Sequence, residues 1–332
     1  MAVLTTKIDY TPVGYLKDII IQYINYKRSL GLKYGIEEGV LFRFSLLSKN
    51  YDLSENRISL ELLESWCMRR INEKPSTHNS RVNTILQFCR YAECYEFQVD
   101  YPEIPRIKIK KYQPYIFTRE EICRIFEATD SINPYPGSLR HIQVPILYRL
   151  IYSCGLRASE TANIKCKDVD LENNLIAICE AKLNKDRLVP LSGSMAEILK
   201  EYIFRFRKNA NLNDYLFPAK YTEHITRGTI YKWFRIILKL AGISHLGVGL
   251  GPREHDLRHT FCVHTLQSMQ RSGVDIYAGL PLLSVYIGHK SIKETQHYLR
   301  LTSELYPEVL EILINSGCDI LPQLKEGNNE IH

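Results

Sequence analysis

Apolar residues recur at helical spacing through the first hundred positions. In VGYLKDIIIQYINYKRSLGL, residues Leu16, Ile19, Ile20, Tyr23, Ile24 and Leu30 fall near one face, and the pattern stops around Gly31. IEEGVLFRFSLLSKN repeats it with Val40, Phe44 and Leu47, and SLELLESWCMRRINE with Leu62, Leu63, Trp66 and Ile71. STHNSRVNTILQFCRYAECYEF adds Val82, Ile85, Leu86, Cys89 and Ala92. Four helices separated by short polar turns predict a small all-α domain. The texture then changes: VDYPEIPRIKIKKYQPYIF carries Pro102, Pro105 and Pro114 without a helical period and reads as an extended linker.

A second domain opens at FTREEICRIF, where Thr118 and Glu121 form a capping-box signature for a new helix. VPILYRLIYSCGLRASETANI predicts a buried helix, a break at Gly155 and a second short helix. NLIAICEAKLNKDRLVPLS predicts two strands around a polar turn at Asn184 to Asp186. Helices are expected around Met195 to Lys208, Thr229 to Ala241 and Asp256 to Arg271. This half is therefore mostly α with one small β element.

Composition narrows the class rather than the function. The 332 residues are 45% hydrophobic and 24% charged, as in a soluble globular protein long enough for two domains. No apolar run reaches membrane-spanning length, and the opening residues lack the pattern of a secretion signal, so a cytoplasmic location is expected. Nine cysteines without a CxxC pair suggest reduced thiols. The net charge of +6 is compatible with nucleic acid but hides its distribution. RIKIKKY concentrates Arg106, Lys108, Lys110 and Lys111 between prolines, as a DNA-contacting linker or a merely solvated one.

Four short stretches could carry chemistry. CGLRASE puts Arg157 after a glycine turn at a helix start, where backbone N–H groups favour anions. EHDLRHTF places His255 and Arg258 on one helix face, suited to a phosphate oxygen. His255 and His259 are spaced as in HExxH zinc sites, but Asp256 follows the first histidine and Arg258 would set a cation beside the metal, so no metal is expected. His259 and His264 read as packing or surface residues. EAKLNKDRLVPL puts Lys182 at a hairpin turn. In SVYIGHKSIKETQHYLRL, Ser291 and Glu294 suggest a helix beginning after His289. Ile292, Thr295 and Leu299 would face the core, with Tyr298 on the shoulder of that face within reach of a ligand. Together they could transfer a phosphodiester to a tyrosine. Cations would favour the ionised phenol, two guanidiniums would bind the non-bridging oxygens, histidines would donate and accept protons, and a lysine would protonate the departing 5′-oxygen.

The ordered set GLRASE, AKLNKDRLVPL, HDLRHTF and IGHKSIKETQHYL resembles the tyrosine recombinase (phage integrase) family. The resemblance implies a mainly α protein with the DNA breaking–rejoining enzyme fold. Residues 1–100 would be a helical, SAM-like core-binding domain and 101–115 the basic linker. Residues 116–302 would be the catalytic domain with its small hairpin, and 303–332 a C-terminal helix and polar tail that could dock on a neighbouring protomer or in cis. It implies that Arg157 and Arg258 clamp the scissile phosphate and Lys182 is the general acid. His255 would take the position of the second-motif histidine and His289, a phosphate ligand, that of the LGH histidine, with Tyr298 the nucleophile, Glu160 the support of the cations, and Tyr286 and His297 as scaffolding. No cofactor is implied. The partner would be double-stranded DNA, bound by a homo-oligomer that is a tetramer in synapsis, with or without accessory recombination proteins. IGH stands where the family favours LGH, Pro281 approaches this motif, and no separate arm-binding domain is expected before the helices. A mobile-element integrase is the expected function. A type IB topoisomerase-like relaxing enzyme and a catalytically silent DNA-binding accessory protein are the alternatives.

Overall fold

The computed structural model describes residues 10–104, 107, 112–179, 186–245, 247, 251–289 and 291–305, with the backbone alone for 300–305. The chain divides into two compact units, Met1–Tyr112 and Gln113–His332.

In the first unit, α1 (Lys17–Ser29), α2 (Gly35–Ser48), α3 (Leu60–Cys67) and α4 (Pro75–Glu93) enclose a core that includes Ile20, Tyr23, Leu41, Phe44, Leu62, Trp66, Ile85 and Phe88. Each such side chain, fully buried, contributes about 1.5–3 kcal/mol. Two predicted core positions are instead on the surface, Leu30 at 58% and Ile71 at 93% exposure. Both lie beyond the ends of their helices, where the 3.6-residue period no longer fixes a face. Nor is the unit purely helical: β1 (Arg57–Ile58) and β2 (Gln98–Val99) form a short parallel pair, Arg57 opposite Gln98.

The second unit opens with α5 (Arg119–Asp130), whose start has the predicted capping box. The Glu121 N–H donates to Thr118 Oγ1, and the Thr118 N–H to the Glu121 carboxylate. Then come α6 (Arg140–Ser153), α7 (Ala158–Asn163), β3 (Val169–Asp170), β4 (Leu175–Ile178) and β5 (Arg187–Pro190). The sheet is a three-stranded antiparallel meander rather than the predicted two-stranded hairpin, because Val169 and Asp170 add a third strand against Ile176 and Leu175. Ile176 and Val189 pair across β4 and β5 and point into the core. α8 (Gly193–Tyr202) runs into a π-turn at Ile203–Arg207, and α9 (Arg227–Leu240) follows.

α10 (Glu254–Arg271), α11 (Ile276–Ile287) and α12 (Ile292–Leu305) complete the unit. α10 forms its spine. It packs on α6, α11 and α12, and Cys262, Val263 and Leu266 meet Leu280, Leu283, Ile287 and Tyr298 in an apolar cluster. Thr260 on α10 also accepts the Phe117 N–H at 3.1 Å, tying the first residues of the unit to a helix 143 positions later. No described helix is long and apolar enough to cross a membrane.

Candidate active site

The turn between α6 and α7 is the foundation. Gly155 has φ +58°, and a Cβ there would lie 2.4 and 2.7 Å from ring atoms of Phe261 on α10. Only glycine takes this left-handed backbone against that ring without strain. The turn brings the Gly155 carbonyl to Arg258 on α10, whose Nη1 donates to it at 2.7 Å while Nη2 donates to the Ile287 carbonyl at the end of α11. Arg258 is 1% exposed, and both contacts fix its guanidinium plane. Burial, followed by the Arg157 charge, lowers its pKa to about 10, still cationic at neutral pH.

Glu160, in the first turn of α7, collects the cations. It accepts the Arg157 backbone N–H at 2.9 Å, which starts the helix, and Arg157 Nη1 at 2.6 Å. Arg187 on β5 donates Nη1 and Nη2 to its two oxygens at 3.1 and 2.8 Å, and Arg258 stands 3.8 Å away. Burial works to raise the carboxyl pKa. The Arg187 hydrogen bonds and charge, with Arg157, overcome it and hold the group at about 2. One buried carboxylate thus meets three guanidiniums and leaves excess positive charge at the site. Arg157 Nη2 reaches the Gly288 carbonyl at 3.4 Å, and Arg187 Nε donates to the Tyr286 carbonyl at 3.0 Å. Gly288 closes α11 with φ +67°, and a Cβ there would sit 3.1 Å from Arg187 Nη1.

The histidines and the tyrosine lie beside this cluster. His255 and His259, one turn apart on α10, meet edge to face with centroids 4.7 Å apart. Among the described residues, no three His, Cys, Asp or Glu side chains are arranged to hold a metal ion. His259 Nδ1 and Tyr298 Oη on α12 are hydrogen-bonded at 3.0 Å. The His289 ring stacks on Tyr298 at 5.9 Å and 17°, with its Nδ1 2.8 Å from Thr295 Oγ1. Burial first, then the surrounding arginines, depresses His255 and His289 to about 4. Burial and the neighbouring His255 take His259 to about 3. All three are neutral at neutral pH.

Tyr298 departs from expectation. It is 2% exposed rather than reachable on the shoulder of its helix, because the α12 face carrying Thr295 and Tyr298 is covered by α10 and α11. Ile292, expected in the core, is 45% exposed. Burial, reinforced by Cys262, pushes the phenol well above its ordinary value, while Arg258 and Arg157 pull the other way.

Of the residues singled out from sequence, the structure gathers Arg157, Glu160, His255, Arg258, His289 and Tyr298 in one place. Lys182 and the linker cations Arg106, Lys108, Lys110 and Lys111 lie outside the described residues, as does the tail from 306 onward. Two further residues join the cluster without a clear signal in the sequence. His259 reads there as packing or surface, although its spacing from His255 already places both on one face of the helix. Arg187 draws no attention there, although strand alternation puts it on the same side as the buried Val189.

The sequence model of the phage integrase family matches residues 116–304, more than half of the chain. The chain belongs to the phage integrase family. This family member is 29% identical over 304 residues to the integrase/recombinase y4rB of Sinorhizobium fredii, covering 90% of this chain and 96% of that one. It is 27% identical over 261 residues to the tyrosine recombinase XerC of Staphylococcus saprophyticus, covering 77% and 79%. Its fold is that of the XerH site-specific recombinase bound to a difH substrate, with TM-score 0.61, 22% identity and coverage of 89% and 84%. It also matches the Tn1549 transposon integrase in complex with transposon right end DNA, with TM-score 0.60, 16% identity and coverage of 87% and 98%. The integrase-family chain is therefore a mostly helical tyrosine recombinase with small sheets.

Proposed function

We propose that this tyrosine recombinase cleaves and rejoins double-stranded DNA through a covalent 3′-phosphotyrosyl bond to Tyr298. The observation that carries the reading is Glu160 holding Arg157, Arg187 and Arg258 together beside a tyrosine that shares contacts with His259 and His289. Arg157 and Arg258 bind the non-bridging oxygens of the scissile phosphate and neutralise the charge that builds as the phosphorus is attacked. Glu160 keeps their guanidiniums ionised and aimed. His255 and His289, both neutral in the free chain, add hydrogen bonds to the phosphate. Lys182 protonates the departing 5′-oxygen. The phosphotyrosyl bond conserves the energy of the phosphodiester, so the balance of the reaction calls for no nucleotide. With its phenol buried, α12 has to shift for Tyr298 to meet a phosphorus atom, and DNA engagement supplies the free energy for that shift.

Arg106, Lys108, Lys110 and Lys111 neutralise backbone phosphates, and base contacts from helices set the site. A homo-oligomer, a tetramer in synapsis, brings two duplexes together in the cytoplasm, where the DNA lies. The likeness to integrase/recombinase y4rB supports a role in integrating or excising a mobile element.

The test is covalent capture on nicked duplexes drawn from the sequences flanking this gene, run with a chelator and resolved under denaturing conditions. A metal-independent adduct formed by the wild type and lost in Tyr298→Phe is the expected outcome. An adduct that survives in Tyr298→Phe moves the nucleophile to another tyrosine. Specific binding without an adduct in either protein favours the accessory role.

A further inference from the structure

We infer that Arg187 is a third cation of the phosphate site, a positioning residue that acts through Glu160. It offsets the carboxylate, so that Arg157 and Arg258 present two uncompensated positive charges to the scissile phosphate. The inference rests on the reading of Arg157 and Arg258 as the phosphate ligands.

The three guanidiniums share two supports. One is Glu160, which Arg157 and Arg187 touch directly and Arg258 approaches to 3.8 Å. The other is the end of α11. There the chain leaves the helix at Gly288, whose N–H donates to the Val285 carbonyl while the His289 N–H donates to that of Ser284. Carbonyls in the last turn of a helix lack intrahelical donors. The next three, Tyr286, Ile287 and Gly288, each accept from a different arginine. Arg187 Nε donates to the Tyr286 carbonyl at 3.0 Å, Arg258 Nη2 to that of Ile287, and Arg157 Nη2 to that of Gly288 at 3.4 Å. Three consecutive carbonyls at the negative end of a helix dipole thus meet cations from β5, α10 and the residue before α7. None of these partners is on α12, so the arrangement is defined without the seating of the tyrosine helix.

Within this cradle the arginines differ. Arg187 engages Glu160 with both Nη1 and Nη2, at 3.1 and 2.8 Å, and its side chain is only 10% exposed. Arg157 gives Glu160 one Nη and keeps 26% of its side chain exposed. The two-pronged contact makes Arg187 the main counter-charge of the carboxylate and leaves Arg157 open to a ligand. Charge then decides the effect. Three guanidiniums against one carboxylate leave two positive charges. His255, His259 and His289 are neutral at neutral pH, and Arg227 and Glu254, 3.6 Å apart, offset each other. Attack by a tyrosine oxygen takes a phosphodiester from one negative charge towards two, so the site matches the transition state better than the ground state. Without Arg187, Glu160 would cancel one of the two remaining guanidiniums, and the match would move to a phosphate centre bearing a single charge.

The experiment measures adduct formation by the full-length protein on two sets of nicked duplexes that differ at the scissile linkage alone. One set has the ordinary phosphodiester. The other has a methylphosphonate, in which a neutral methyl replaces one non-bridging oxygen, so that attack takes its charge from zero towards one. The quantity read is the ratio of methylphosphonate to phosphodiester capture rates within each variant, from which the folded fraction cancels. Arg187→Gln is expected to capture the phosphodiester about 10–100-fold more slowly than wild type and the methylphosphonate no more than a few-fold more slowly, raising the ratio about tenfold or more. Arg187→Lys keeps the charge without the fork, and its ratio is expected within a few-fold of the wild-type value even where both rates fall. Equal slowing of the two substrates by Arg187→Gln overturns the proposal, since that marks a structural role. So does unchanged capture of both, methylphosphonate capture by Arg187→Gln that stays undetectable, or a ratio in Arg187→Lys as high as in Arg187→Gln. Wild-type phosphodiester capture by Arg157→Gln and Arg258→Gln would overturn the underlying assignment of the phosphate ligands, a separate result.

Discussion

Glu160 is where a single substitution does most harm. Its side chain is buried against Arg157, Arg187 and Arg258, and Glu160→Gln removes the charge while setting an amide N–H₂ against a guanidinium. Breaking one member of a buried ionic cluster costs about 3–5 kcal/mol. An unfolding free energy lower by that amount, read from denaturant titration, is expected, with capture of nicked DNA falling in parallel. Arg187→Lys is the milder test. It keeps the charge but loses the two parallel bonds to Glu160 and the third to the Tyr286 carbonyl. A loss of about 1–3 kcal/mol is expected, because lysine cannot reproduce the guanidinium fork.

At the level of the elements, the turn at Gly155 and the seating of α12 decide the site. Gly155→Ala forces a side chain into the left-handed region and against the Phe261 ring. About 2 kcal/mol or more of destabilisation should follow, read by thermal melting, together with slower capture as the carbonyl that orients Arg258 moves. That break was legible in sequence, as were the capping box of α5 and the helical faces of the first unit, because glycine, caps and the 3.6-residue period are local signals. The two-residue strands were not, since two positions carry no alternation. Nor was the burial of Tyr298. Helical geometry fixes its direction relative to Thr295 and Leu299, but which neighbours cover that direction depends on α10 and α11, distant in sequence. Arg157, Glu160 and Arg258 were readable from spacing and family resemblance. His259 and Arg187 acquire meaning only through partners that folding supplies.

Across the whole molecule, the buried histidines make stability depend on pH. His255 and His289 titrate near 4 and His259 near 3 in the folded chain, against an ordinary 6.5. Between those limits the unfolded chain binds more protons than the folded one, so stability falls as pH drops below 6.5. Glu160, depressed from 4.5 to about 2, adds its own loss below 4.5 as it is protonated. The melting temperature should hold above neutrality and fall through the acid range, less steeply in His259→Gln. DNA affinity should respond to the basic linker instead. Replacing Lys108, Lys110 and Lys111 with Gln is expected to reduce the slope of log K against log salt by about 0.9 for each phosphate left without its lysine, measured by titration on duplex DNA. The hydrogen bond from Phe117 to Thr260, spanning 143 positions, carries a different consequence. As the polypeptide leaves the ribosome, the start of the second unit must wait for α10, and the residues of the arginine cluster are all made before the tyrosine of α12. With the roles proposed for Arg157, Arg258 and Tyr298, a chain that stops before α12 is expected to bind a phosphate without cutting it, which DNA binding and covalent capture by such a truncation would check.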